Sequence, residues 1–325
     1  MTNSLIEIKN FKSIKHITLE ARKVNIFIGK PNTGKSNILE SIGLLSLPNW
    51  SNIKDIIRFE KTPNLFYDED LSEKIEITIT PHNEIKQVTL NVVFTDNRFE
   101  FHLKGEKFSA DYNVNYDGAH VGGGSSGHSP FKFYRFKVLE AFNYPQQSDY
   151  LASPFGGNLL LLLQTNKELR KVVDAIFAEY GYHLVFEPQE HRIKIIKNVG
   201  DKIILHPYSL VSDTLQRIVF YLAAMESNKN STLIFEEPEA HSFPYYTKHL
   251  AERIALDKTN QYFISTHNPS LLFPILGKAP KDEVAVFVVH FEEYQTKIKP
   301  VTQEKMGELL DMNEDVFFNL ERFIE

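Results

Sequence analysis

One stretch of the chain spells a phosphate chemistry. Gly29-Lys30-Pro31-Asn32-Thr33-Gly34-Lys35-Ser36 satisfies G-x-x-x-x-G-K-[ST] at every fixed position. Each fixed residue type has a physical reason. Glycines at 29 and 34 let the backbone bend so that successive N–H groups turn inward on an anion, at the positive end of a following helix. The Lys35 ammonium then neutralises charge on β- and γ-phosphates. The Ser36 hydroxyl is a hard oxygen suited to Mg2+.

A second stretch carries acids. Thr232-Leu233-Ile234-Phe235 is an apolar strand pattern that ends in Glu236-Glu237-Pro238-Glu239, which predicts carboxylates at the carboxyl edge of a sheet, where α/β proteins bind ligands. Successive strand residues face opposite ways. Glu236 is therefore read as the residue on the magnesium side, and Glu237 as the general base for an attacking water. A third strand, Tyr262-Phe263-Ile264, ends in Ser265-Thr266-His267-Asn268-Pro269. A histidine there, beside the acids, is placed to reach a γ-phosphate or the water.

These residues need a scaffold, and the apolar pattern supplies one. Two short strands are expected between Leu5 and Leu19, and Lys23 to Ile28 forms a third that runs into the glycine turn. Ile38, Leu39, Ile42 and Leu45 then recur at helical spacing. From Ile75 to Leu103 the apolar period falls to two, which predicts an antiparallel meander. The glycine- and serine-rich run Val121 to Pro130 reads as a flexible loop. Beyond it the pattern predicts one helix over Asn158–Tyr180, a hairpin over Phe186–Ile196 and a helix over Thr214–Met225. A helix follows over Tyr245–Ala255, then strands over Gln261–Ser265, Val284–His290 and Tyr294–Pro300, and an acidic helical tail. Strands alternating with helices imply a mainly parallel sheet with helices on its faces. The fold class is thus α/β, with an antiparallel meander, and the expected division is into two lobes of a single domain, at about 1–150 and 151–325.

Composition narrows the function classes. A chain of 325 residues, 42% hydrophobic, can bury a substantial core. A net charge of −6 argues against nucleic-acid binding by the whole surface. With no cysteine there is no disulfide framework, thiolate nucleophile or cysteine-held zinc. The start lacks a basic stretch followed by an apolar one, and no run approaches a membrane span, so a cytoplasmic protein without a membrane partner is expected. Asp68-Glu69-Asp70 lacks an apolar strand leading into it and reads as a solvated loop.

Together, Ile8-Lys9-Asn10-Phe11-Lys12-Ser13-Ile14, the phosphate loop with Ser36-Asn37-Ile38-Leu39, Glu236-Glu237-Pro238-Glu239-Ala240-His241 and Ser265-Thr266-His267-Asn268-Pro269 resemble the ABC-class heads of the OLD, RecF and chromosome-maintenance (SMC) ATPases. The resemblance covers roughly residues 5–45 and 205–275. It implies a P-loop ATPase that uses ATP and Mg2+, with residues 29–37 and Lys12 on the nucleotide, Ser36 and Glu236 toward the metal, and Glu237 and His267 in catalysis. It also implies a signature segment that completes the partner's ATP site, here Val211-Ser212-Asp213-Thr214-Leu215-Gln216-Arg217, with Ser212 on the γ-phosphate. A glycine usual near Thr214 in the family is missing. Gln146 and Gln147 are the candidates for a metal-sensing glutamine.

Residues 268–325 leave too little room for the Toprim nuclease domain of the OLD proteins, and no sustained heptads indicate a long coiled-coil arm. The resemblance therefore implies a compact ATPase that dimerises head-to-tail, or builds a larger homo-oligomer from such pairs, and controls a separate effector such as a nuclease in antiviral defence. A RecF-like ATPase that binds DNA in repair, and an ATP-gated scaffold with little turnover, are the alternatives.

Overall fold

The computed structural model describes residues 3–49, 52–82, 87–143 and 149–324. Gln146 and Gln147 lie outside them. The chain divides into two compact units that alternate in sequence: the first takes residues 1–133, 230–237 and 251–325, the second 134–229 and 238–250.

In the first unit, β1 (Ser4–Phe11), β2 (Ile14–Ala21), β4 (Ile75–Pro81), β5 (Val88–Thr95), β6 (Arg98–Lys104), β7 (Ser109–Val114) and β8 (His120–Ser126) form an antiparallel sheet in the order β2-β1-β4-β5-β6-β7-β8. The period of two decides which face is buried: Phe99, Phe101 and Leu103 of β6 turn inward while Arg98, His102 and Lys104 stay outside. The strand β8 corrects the expectation of a flexible loop at Val121–Pro130. Its glycines pair edge-on with β7, and Gly123, at φ 110°, lies where a Cβ would come 1.9 Å from the Asp111 carbonyl oxygen. Glycine here serves a bulged, exposed edge strand, joined to β7 by backbone pairing and by the His120 ring against Tyr112.

The second sheet of this unit has the order β16-β15-β3-β14-β13-β9. Its strands are β3 (Val24–Ile28), β9 (Phe131–Tyr134), β13 (Thr232–Glu236), β14 (Gln261–Ser265), β15 (Val284–Glu292) and β16 (Gln295–Pro300). Strands β13, β14, β3 and β15 run parallel, and β16 returns antiparallel. Every residue of β3 and β14 is buried, as expected of central parallel strands covered on both faces. Phe27 stacks between Phe263 and Phe287, with ring centroids 6.4 and 5.3 Å away. The helix α1 (Lys35–Gly43) buries Ile38, Leu39 and Ile42 in the same core, which joins both sheets.

The second unit contains α2 (Leu159–Thr165), α3 (Lys167–Ala178), the three-stranded sheet β10 (Tyr182–Glu187), β11 (Arg192–Val199) and β12 (Lys202–Pro207), and α4 (Asp213–Ser227). The single helix expected over Asn158–Tyr180 is broken at Asn166, whose extended backbone lets its side chain accept from Leu169 N and cap α3. The expected hairpin gains β12, whose Ile203-Ile204-Leu205 run does not alternate. Helix α5 (Pro244–Leu256) crosses from the second unit into the first. In the first unit α6 (Pro269–Lys278) was masked in sequence by Pro269 and Pro274; Pro269 opens the first turn and Asn268 caps it through Ser270 N. The acidic tail is helical as expected, as α7 (Gln303–Met312) followed by 3-10 turns at Asn313–Phe318 and Leu320–Phe323. Among the described residues, no helix is long and apolar enough to cross a membrane.

Candidate functional site

Strand register brings the motifs to one edge. Glu236 pairs with Ser265, and Ser265 with Phe27, so the ends of β13, β14 and β3 lie in one row. Two further bonds extend that row: Thr266 N donates to the Phe27 carbonyl at 3.1 Å, and Glu237 N to the Ser265 carbonyl at 3.1 Å. The phosphate loop, the acids and the histidine leave the sheet side by side, although Glu236 lies 200 positions after Ser36 and His267 lies 30 after Glu237.

The loop is held from behind by β15 and β16. Gly34 has φ 99°, and a Cβ there would meet Thr296 Oγ1 at 1.9 Å; a Cβ on Gly29 would meet the Val289 carbonyl oxygen at 2.2 Å. Both glycines are thus required by close approach, and Gly34 also by its backbone conformation. Thr296 Oγ1 donates to the Thr33 carbonyl at 3.0 Å and lies 2.7 Å from Ser13 Oγ, to which Asn37 Nδ2 donates at 2.6 Å. Pro31 and Asn32 form an exposed tip, and Lys30 pairs with Glu321 at 2.5 Å.

Lys35 is 5% exposed, and its ammonium donates to the carbonyls of Gly29 at 2.9 Å and Lys30 at 2.8 Å. Burial pushes its pKa down to about 8, against a smaller opposing pull from Glu237. Neutral carbonyls are weak partners for a buried cation, and an anionic phosphate oxygen is a stronger one. Ser36 sits half-buried in the first turn of α1, where no acidic residue offsets the positive helix end.

Glu237 adopts φ 43°, in the left-handed region, which is the strained backbone often found at sites. Its Oε1 lies 3.3 Å from His267 Nε2, with side chains 45% and 35% exposed. Burial, and then the Lys35 charge, lower the His267 pKa, with Glu237 opposing, so the imidazole is neutral at pH 7. A carboxylate, a neutral imidazole and a buried ammonium thus share the edge.

Glu40, Arg58 and Thr296 serve this edge without belonging to any of its sequence motifs. Glu40, 1% exposed on α1, accepts from Arg58 Nε at 3.1 Å and forms a short ion pair with Lys12. Arg58 Nη2 also reaches Glu236 Oε1 at 2.6 Å, and Lys12 Nζ donates to the Arg58 carbonyl at 2.7 Å. Lys12 is therefore turned to Glu40 and Arg58. Glu40 follows Ser36 by one helical turn, an acid among apolar helix residues, which is the only hint the sequence offers; Arg58 and Thr296 have none.

The edge suits Mg2+ that arrives with a ligand. Ser36 and Glu236 are hard oxygen donors, whereas among the described residues no group of three or more His, Asp or Glu side chains could hold a metal alone. Mg2+ ordinarily keeps several waters and takes phosphate oxygens with one or two carboxylates. Ser212 belongs to the second unit, where it caps α4 by accepting from Leu215 N at 3.4 Å, and Asp213 pairs with Arg217 at 2.6 Å. Asp70 binds Ser72 within an exposed turn.

The structure matches an SMC head bound to the C-winged helix domain of ScpA, at 17% identity and a TM-score of 0.56, over 94% of this chain and 100% of that one. It also matches an Smc head domain with an extended coiled coil, bound to the C-terminal domain of ScpA derived from Pyrococcus furiosus, at 14% identity and a TM-score of 0.55, over 95% and 98%. The fold is that of an SMC head domain. Residues 1–151 of this head match the model of the AAA ATPase domain. A Helicobacter pylori ATP/GTP phosphatase is 29% identical over 106 residues, which cover 29% of this chain and 29% of that protein.

Proposed function

We propose that this head binds ATP with Mg2+ and hydrolyses it, closing as a head-to-tail pair that drives a separate effector. The observation that carries the reading is the convergence of Lys35, Glu237 and His267 at the ends of adjacent parallel strands. The backbone N–H groups of the phosphate loop, Pro31 apart, and the Lys35 ammonium bind the phosphates. Glu237 takes a proton from a water whose oxygen attacks the γ-phosphorus, the bond to the β–γ bridging oxygen breaks, and ADP leaves. His267, neutral and beside Glu237, orients that water. When bound, Mg2+ would offset charge on the β- and γ-oxygens, with Ser36 and Glu236 holding it or its waters.

In the pair, Ser212 and the N-terminus of α4 would meet the γ-phosphate held by the other copy. The neighbours of this fold that bind ScpA domains support a partner protein for this head as well, and we assign that partner to an effector such as a nuclease in phage defence. Mixing a Ser212→Arg chain with a Lys35→Ala chain tests the shared site. Each variant alone should be inactive, with the mixture recovering one working site per pair. Mixed pairs that form without recovery overturn trans completion, and undiminished ATP binding by Lys35→Ala overturns the loop assignment.

A further inference from the structure

Glu236 is the carboxylate on the metal side of the site, yet its Oε1 is already engaged by a cation, the Arg58 guanidinium at 2.6 Å. That guanidinium is not free to drift. Glu40 accepts from Arg58 Nε at 3.1 Å and from Arg58 N at 3.3 Å, while Lys12 holds the Arg58 carbonyl at 2.7 Å. Glu40 is itself 1% exposed and rooted on α1, one turn beyond Ser36. Arg58 is thus stretched between two carboxylates, one structural and one at the reacting edge. Its position is set by the helix that carries Ser36.

We infer that Arg58 is a positioning residue that acts as an electrostatic lock on Glu236, and that Mg2+ entering with the nucleotide must displace it. The inference rests on the proposed nucleotide site and adds a regulatory step to it. Two cations would compete for one carboxylate, because a dication and a guanidinium held by the same group repel each other. Glu40 stays bound to Arg58 Nε and to Lys12, so release needs only the Nη2 end to swing away. Because Arg58 is 60% exposed, that end moves into solvent and not into packed core. In this scheme metal occupancy is reported directly to the loop around Arg58.

The test is a metal titration of nucleotide binding, read by fluorescence of a labelled non-hydrolysable ATP analogue with Mg2+ varied, in wild type, Arg58→Gln and Arg58→Lys. Losing one partly exposed charge-assisted bond should lower the Mg2+ needed for half-maximal effect by roughly fivefold to tenfold in Arg58→Gln. Arg58→Lys should fall between Gln and wild type, and binding without metal should stay unchanged. Direct Mn2+ binding, followed by electron paramagnetic resonance in the presence of the analogue, gives the same comparison independently of fluorescence. Equal metal dependence in wild type and Arg58→Gln, or a higher Mg2+ requirement in the variant, overturns the lock. Wild type that binds no nucleotide overturns the proposed function instead.

Discussion

Raising the pH should strip this head of nucleotide affinity, because the one buried cation of the phosphate loop titrates close to neutrality. Burial holds the Lys35 pKa down to about 8. The sign follows from which form binds: only the ammonium neutralises phosphate, so affinity is complete below the pKa and is lost as pH rises through it. Between pH 7 and pH 9 the charged fraction falls from about 0.9 to about 0.1, so Kd should rise roughly tenfold, or about 1.4 kcal/mol. His267 is held below the ordinary histidine value and has already lost its proton in this window. Calorimetry with a non-hydrolysable ATP analogue, repeated in buffers of different ionisation enthalpy, reads both affinity and proton uptake. Phosphate contact raises the Lys35 pKa, so about half a proton should be taken up on binding at pH 8. Lys35→Arg, charged throughout, should show a flat profile at whatever affinity it retains. A wild-type Kd unchanged from pH 7 to pH 9.5, without proton uptake, would refute the assignment.

Gly34→Ala places a methyl group against Thr296 Oγ1 at φ 99°, costing roughly 1–3 kcal/mol of backbone strain before the overlap is counted; the expected result is a lowered Tm and no detectable ATP binding, and normal binding would remove the close approach from the account. Phe27→Ala opens a cavity between Phe263 and Phe287 and should cost about 3–5 kcal/mol in urea unfolding, with a loss under 1 kcal/mol contradicting the central place given to β3.

The sheet that carries the site was legible in the sequence because burial on both faces leaves an unmistakable print. Val24–Ile28, Thr232–Glu236 and Gln261–Ser265 are short apolar runs that each stop at a polar turn, and their edges carry the reacting residues. Elements whose order comes from backbone pairing were not legible. Strand β8 is glycine and serine on an exposed edge, and nothing in its composition separates it from a loop. Asn166 divides α2 from α3 through a side-chain cap that competes with a continuous helix, a choice periodicity cannot detect. The same limit applies within the site. Glycine spacing announces the front of the phosphate loop, whereas its rear support, Thr296, lies 263 residues from Thr33 in sequence. Arg58 and Glu40 meet Glu236 only through tertiary packing, so the cation on the metal-side carboxylate is visible only in three dimensions.

The most direct test of an ATP-hydrolysing head compares wild type and Glu237→Gln in parallel assays of equilibrium ATP binding and single-turnover hydrolysis. The substitution keeps the shape of the side chain and removes the base, and losing a general base typically costs about 10²–10⁴-fold in rate. Wild type should bind and turn over ATP. Glu237→Gln should bind it with similar affinity, hydrolyse it at least about 100-fold more slowly, and accumulate with Mg-ATP as a larger species on size-exclusion chromatography. Hydrolysis at the wild-type rate in Glu237→Gln, or a wild type that binds ATP and never turns it over, would contradict the account.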